Sequence, residues 1–73
     1  MSSPNYAPLI GGNIRRRRQQ LCYSQQRLAQ LLGAHRQQIV SWENARHVPS
    51  VTHLHDLADA LDVTVAYFWT DPG

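Results

Sequence analysis

Apolar residues recur along this chain at spacings of three, four and seven, and nowhere do they alternate with the period of two that a strand requires. The clearest stripe is Val51, Leu54, Leu57, Ala58 and Leu61, which predicts an amphipathic helix capped by Ser50. Two shorter patterns precede it. Behind the cap residue Ser24 come Leu28, Ala29 and Leu32, with Tyr23 placed to pack on Leu28 as a hydrophobic staple, and Gly33 ends the run by turning through positive φ. The helix that follows, predicted over residues 36–45, turns only Ile39 and Trp42 clearly inward and leaves Arg36, Gln37, Gln38 and Ser41 on the opposite face.

Towards the ends the pattern weakens. Pro4, Pro8, Gly11 and Gly12 predict an irregular arm over residues 1–12. Asn13 then caps a first helix through about Leu21, with Ile14, Leu21 and Cys22 facing inward. Thr64 caps a short fifth helix through about Trp69, in which Val65 and Phe68 close the core, and residues 70–73 form a tail. The expectation is an all-α fold with one compact domain over residues 13–69.

Seventy-three residues allow one small domain with a thin core, so pairing with a second copy would add stability. The net charge of +2 conceals an asymmetry: residues 1–47 hold all seven Arg against Glu43, a balance of +6, and residues 48–73 hold only four Asp, a balance of −4. A basic half beside an acidic half suggests a polyanion on one side and solvent or protein on the other. Every basic residue is Arg, whose planar fork suits phosphate and guanine. Cys22 stands alone, which excludes an intramolecular disulfide or a cysteine metal set and predicts a reducing interior. The opening residues have neither a basic start nor an apolar run, and the chain has no apolar stretch of membrane-spanning length, so a soluble, cytoplasmic protein without a membrane partner is expected.

The outward row of the third helix carries the candidate chemistry. Arg pairs bidentately with guanine and Gln with adenine, so Arg36, Gln37, Gln38 and Ser41 are candidate base contacts to double-stranded DNA; a solvated helix face would use the same residues. Val40 beside them could meet a thymine methyl group, a neighbouring subunit or solvent. Ser24 and Gln25 at a helix N-terminus, and Asn44 and Arg46 at the exit of the third helix, are candidate phosphate contacts. Arg15, Arg16 and Arg27 could add general attraction or simply be solvated. Arg18 falls four residues after Ile14, hence partly inward, and needs a partner; Glu43 is the one acid in the basic half.

Arg18, Ser24-Gln25 with Leu28-Ala29, Gly33, Ile39, Trp42-Glu43-Asn44, Pro49-Ser50, Leu54, Leu57-Ala58, Ala60-Leu61 and Phe68 together resemble the Xre family of helix-turn-helix domains, named for phage repressors and Cro. The likeness covers about residues 12–69 and spans all five elements. It implies a compact five-helix, repressor-like fold that binds operator DNA as a homodimer with its third helix in the major groove. It also implies a partly buried ion pair between Arg18 and Glu43, and supports Gln25 and Asn44 at phosphate. Cys22 and Ala45 stand where the family often has Gly, and Arg17 and His55 where it is often aliphatic.

Tyr67 and Trp69, at the acidic end, are candidate dimer contacts, with core filling as the other reading. A metal would have only histidines to bind, and the nearest two, His53 and His55, diverge on a helix, with His35 and His47 distant in sequence, so no metal and no cofactor is expected. No nucleophile and base, metal set or phosphate-cradling loop indicates an enzyme. The expected function is a sequence-specific transcriptional regulator, as a repressor of a palindromic operator. The alternative is an antitoxin or other regulatory subunit that grips a protein partner, with DNA binding secondary.

Overall fold

The structure, a computed structural model, describes residues 5–71. Four α-helices and a terminal 3-10 helix follow in order: α1 (Ala7–Gln20), α2 (Gln25–Leu32), α3 (Arg36–Glu43), α4 (Val51–Leu61) and the 3-10 helix Val65–Trp69. No strand occurs among the described residues. The fold is thus all helical, with the fifth element wound more tightly than the expected α-helix.

The first helix corrects the sequence reading most. It begins at Ala7, not at Asn13, so residues 7–12 are helical and only residues 1–4 of the expected arm lie outside the described residues. Pro8 falls in the first turn, where its missing N–H has no helical partner to lose, and the Asn5 Oδ1 accepts a bond from the Ala7 N–H at 3.1 Å. Gly11 breaks nothing because it is a packing residue: a Cβ there would collide with the Trp42 carbonyl oxygen of α3, so its absence lets the two helices close. Asn13 is 1 % exposed in mid-helix and caps nothing. Its amide nitrogen instead donates to the Phe68 and Thr70 carbonyls at 2.8 and 2.9 Å, and its oxygen accepts from Arg16 Nη2 at 2.9 Å, which ties the chain's last turn to α1.

Ile10 and Ile14 of α1, Leu28 and Ala29 of α2, Ile39 and Trp42 of α3, Leu54, Leu57, Ala58 and Leu61 of α4, and Phe68 form one core. The Trp42 ring also lies 4.9 Å from that of His53. Leu21, Tyr23 and Val65 pack on the edge of this cluster. Val51, expected inward, is 72 % exposed: it is the first residue of α4, and its side chain projects beyond the neighbouring helices. Cys22, also expected inward, is exposed because it is the turning residue after α1, with φ 60°.

All four α-helices end alike. Cys22, Gly33, Ala45 and Asp62 take φ values of 60°, 64°, 61° and 56°, and in each case that residue and the next donate N–H bonds back into the last turn, as Arg46 does to the Ser41 carbonyl at 2.9 Å. Glycine, which suits this left-handed turn, occurs at only one of the four, so Cys22 and Ala45 carry a Cβ at a cost of about 1–2 kcal/mol each. At Ala45 the turn ends α3 at Glu43, two residues earlier than expected.

Candidate nucleic-acid interface

Ser24 caps α2, its Oγ accepting the Arg27 N–H at 2.9 Å, which leaves the hydroxyl proton and the Gln25 and Gln26 N–H groups free to face an anion. After Gly33, the Gln38 Oε1 accepts the His35 N–H at 3.1 Å and secures the start of α3. Ile39 and Trp42 anchor α3 in the core, and the helix therefore presents Arg36 and Gln37 exposed, with Gln38, Val40 and Ser41 half-buried beside them. Gln37, Gln38, Ser41, Trp42 and His47 line a surface notch of roughly 320 Å³. His47 is the addition to the expected set. It lies a few residues beyond α3 and is brought back by the left-handed turn at Ala45, a geometry that residue spacing alone does not convey.

Glu43 is the hub behind this face. Its side chain is 0 % exposed and accepts Arg18 Nε at 2.6 Å and Arg18 Nη2 at 2.9 Å, a two-pronged ion pair between α1 and the end of α3. Arg18 also donates to the Tyr23 carbonyl at 2.8 Å. Two further donors reach the same carboxylate, Gln25 Nε2 at 3.2 Å and Arg15 Nε at 3.3 Å, while Arg15 Nη2 bonds Asn44 Oδ1 at 3.2 Å. Burial alone would raise the Glu43 pKa, but the bonds from Arg18 and Gln25, the Arg18 charge and the Arg15 bond together outweigh it and hold the carboxyl below its ordinary value of 4.5. The hub thus fixes one side-chain atom each of Gln25 and Asn44, and leaves the amide nitrogen of the exposed Asn44 without a partner among the described residues.

The arginines divide into two groups. Arg15 and Arg18 meet Glu43, Arg16 lies over the Tyr67 ring at 5.6 Å and bonds the Tyr67 hydroxyl at 3.3 Å, and Arg17 Nε donates to the Leu61 carbonyl at 2.8 Å. Arg27, Arg36 and Arg46 are exposed, and their guanidinium groups have no hydrogen-bond or ion-pair partner among the described residues. These three lie in the segment from α2 through the exit of α3. In the 3-10 helix Tyr67 is half-buried, its ring meeting Phe68 edge-on with centroids 5.9 Å apart, and Trp69 is 41 % exposed. No group of three or more metal-binding side chains converges among the described residues, and no described helix is long and apolar enough to cross a membrane.

A short helix capped by Ser24, a left-handed glycine turn and a second helix with an outward polar row define a helix-turn-helix DNA-binding domain. Residues 14–68 match the helix-turn-helix family model, and the chain belongs to that family. An uncharacterized transcriptional regulator in the ATPase CF(0) region of Rhodospirillum rubrum is 39 % identical over 62 residues, covering 85 % of this chain and 57 % of that protein. The chain therefore spans little more than half the length of that relative. The restriction-modification controller protein C.AhdI from Aeromonas hydrophila superposes with a TM-score of 0.81 at 27 % identity, over 85 % of this chain and 94 % of that one. Hydroxypropylphosphonic acid epoxidase from S. wedmorenis has a similar fold (TM-score 0.83, 24 % identity, 96 % of this chain), but over only 37 % of the enzyme's chain. That likeness concerns a helix-turn-helix-like part. The chain is like a helix-turn-helix transcriptional regulator.

Proposed function

We propose that this protein is a sequence-specific transcriptional repressor that binds a palindromic operator as a homodimer, each copy laying α3 in a major groove with the two grooves one helical turn, about 34 Å, apart. The observation that carries this reading is the division of the arginines: those of α1 are tied to acceptors within the protein, whereas Arg27, Arg36 and Arg46 keep their donors free along one segment. Arg36, Gln37 and Ser41 read base edges from the outer face of α3, and Gln38 does so with the amide nitrogen that its cap bond leaves free. Ser24, the N–H groups around Gln25, Asn44 and Arg46 hold phosphates on either side. Glu43 orders both phosphate-holding ends at once through Gln25 and the Arg15–Asn44 bond. Trp69, with Tyr67 behind it, is the dimer contact, an exposed aromatic being suited to an interface core.

Selection of bound oligonucleotides from a random pool, followed by binding measured against salt, tests the reading. The expected result is a two-fold symmetric site, an affinity that falls steeply with salt, by about 0.9 logarithmic units per tenfold rise in salt for each phosphate neutralised, and a changed base preference in Gln37→Ala. Equal loss by Gln37→Ala on every sequence would refute the base-reading role.

A further inference from the structure

Between α2 and α4 lies an open groove of roughly 510 Å³ lined by Tyr23, Leu31, Leu32, Asp56, Asp59 and Ala60. It shares no residue with the notch on α3. Its floor is apolar and incompletely covered: Leu31 is 42 % exposed, and Leu32, Tyr23 and Ala60 are half-buried against the core edge. Asp56 and Asp59, one turn apart on α4, edge it, and neither carboxylate has an ion-pair or hydrogen-bond partner among the described residues. This pairing carries a cost in the free protein. The two like charges stand at adjacent positions on a helix surface, and Asp59 lies in the last turn of α4, where a negative charge opposes the helix dipole. Arg17 covers the Leu61 carbonyl at that end but forms no ion pair with either Asp.

We infer that the groove between α2 and α4 is a docking site for a basic amphipathic helix of a partner protein. A trough between two helices accepts a third helix through apolar anchors spaced three and four apart, which here would rest on Leu31, Leu32 and the Tyr23 ring. The unpaired carboxylates select an occupant whose Lys or Arg residues flank those anchors, and they reject an acidic one. Because the groove and the face of α3 use different residues, the partner and DNA can be held together.

The test is titration of the full chain, labelled for amide NMR, with a synthetic helical peptide carrying Leu at helical spacing flanked by Arg, and with its counterpart in which Glu replaces Arg. The expected result is that the basic peptide moves the signals of Leu31, Leu32, Tyr23 and Ala60, that the acidic one does not, and that Asp56→Asn with Asp59→Asn weakens binding about two- to thirtyfold, the worth of two ion pairs at an exposed site. The double variant removes repulsion and should melt no lower than the parent, so its loss of binding is not a loss of fold. The inference is overturned if the basic peptide leaves those signals unmoved, if both peptides bind equally, or if the double variant binds as the parent does. It is also overturned if the same signals move with protein concentration alone while sedimentation shows self-association, which would make a second copy the occupant.

Discussion

Replacing Glu43 by Leu should remove a large part of the domain's stability although the new side chain is more apolar than the old one. The carboxylate accepts four side-chain bonds, and its loss strands Arg18, whose side chain is only 12 % exposed and would keep just its bond to the Tyr23 carbonyl. Breaking a buried pair from one side costs about 3–5 kcal/mol. At about 0.05–0.15 kcal/mol per residue the whole domain is worth roughly 4–11 kcal/mol, so the variant should be close to unfolding. Its midpoint should fall by at least roughly 12 °C. Arg18→Met should be similarly harmful, whereas the double variant Arg18→Met with Glu43→Leu should recover about 2 kcal/mol or more of the summed loss, because neither charge is then left alone. Urea unfolding followed by circular dichroism at neutral pH measures all four corners of this cycle. A cost below about 1 kcal/mol for Glu43→Leu, or losses that simply add, would show that the pair is not a buried unit. The pH dependence has a definite sign. Since the folded protein holds the Glu43 carboxyl below its ordinary 4.5, its stabilising contribution is complete above that value and is lost as pH falls through the folded-state pKa. Stability of the parent should therefore fall with acid below pH 4.5 more steeply than that of Glu43→Gln.

The left-handed helix ends offer the opposite effect. Ala45→Gly and Cys22→Gly should each stabilise by about 0.5–1 kcal/mol, the relief of the left-handed strain less the extra chain entropy of glycine, and a lowered melting temperature in both would contradict that account. Asn13→Ala should cost about 2–4 kcal/mol by leaving the Phe68 and Thr70 carbonyls without their donor, and amide exchange should accelerate over residues 65–70; unchanged exchange there would show that Asn13 does not anchor the last turn.

The elements built on local rules were legible in the chain. Ser24, Ser50 and Gly33 mark helix ends by their own hydrogen bonding and φ preference, and the α4 stripe from Leu54 to Leu61 declares its buried face by spacing alone. Even the inward lean of Arg18 follows from its distance to Ile14. What failed were positions whose meaning lies in a neighbour distant in sequence. Gly11 and Pro8 resemble breakers until Trp42 is known to press against the former, and Asn13 resembles a cap until the last turn arrives beside it.

For the interface, the outer row of α3 could be read from its periodicity, since a helix anchored by Ile39 and Trp42 has one remaining face to offer. Beyond the Arg18–Glu43 pair that the family resemblance implied, the donors that converge on Glu43 could not, because Arg15 comes from α1 and Gln25 from α2, and no spacing rule states which of four consecutive arginines will reach which acceptor. The groove between α2 and α4 likewise exists only as a relation between helices. The sequence by itself thus determined the helices, their apolar faces and the polar row of α3, since these depend on residues within one or two turns of each other. Only the tertiary structure decided which charges are neutralised and which remain free, because Coulomb attraction and burial act through space, between residues the chain brings together only when folded.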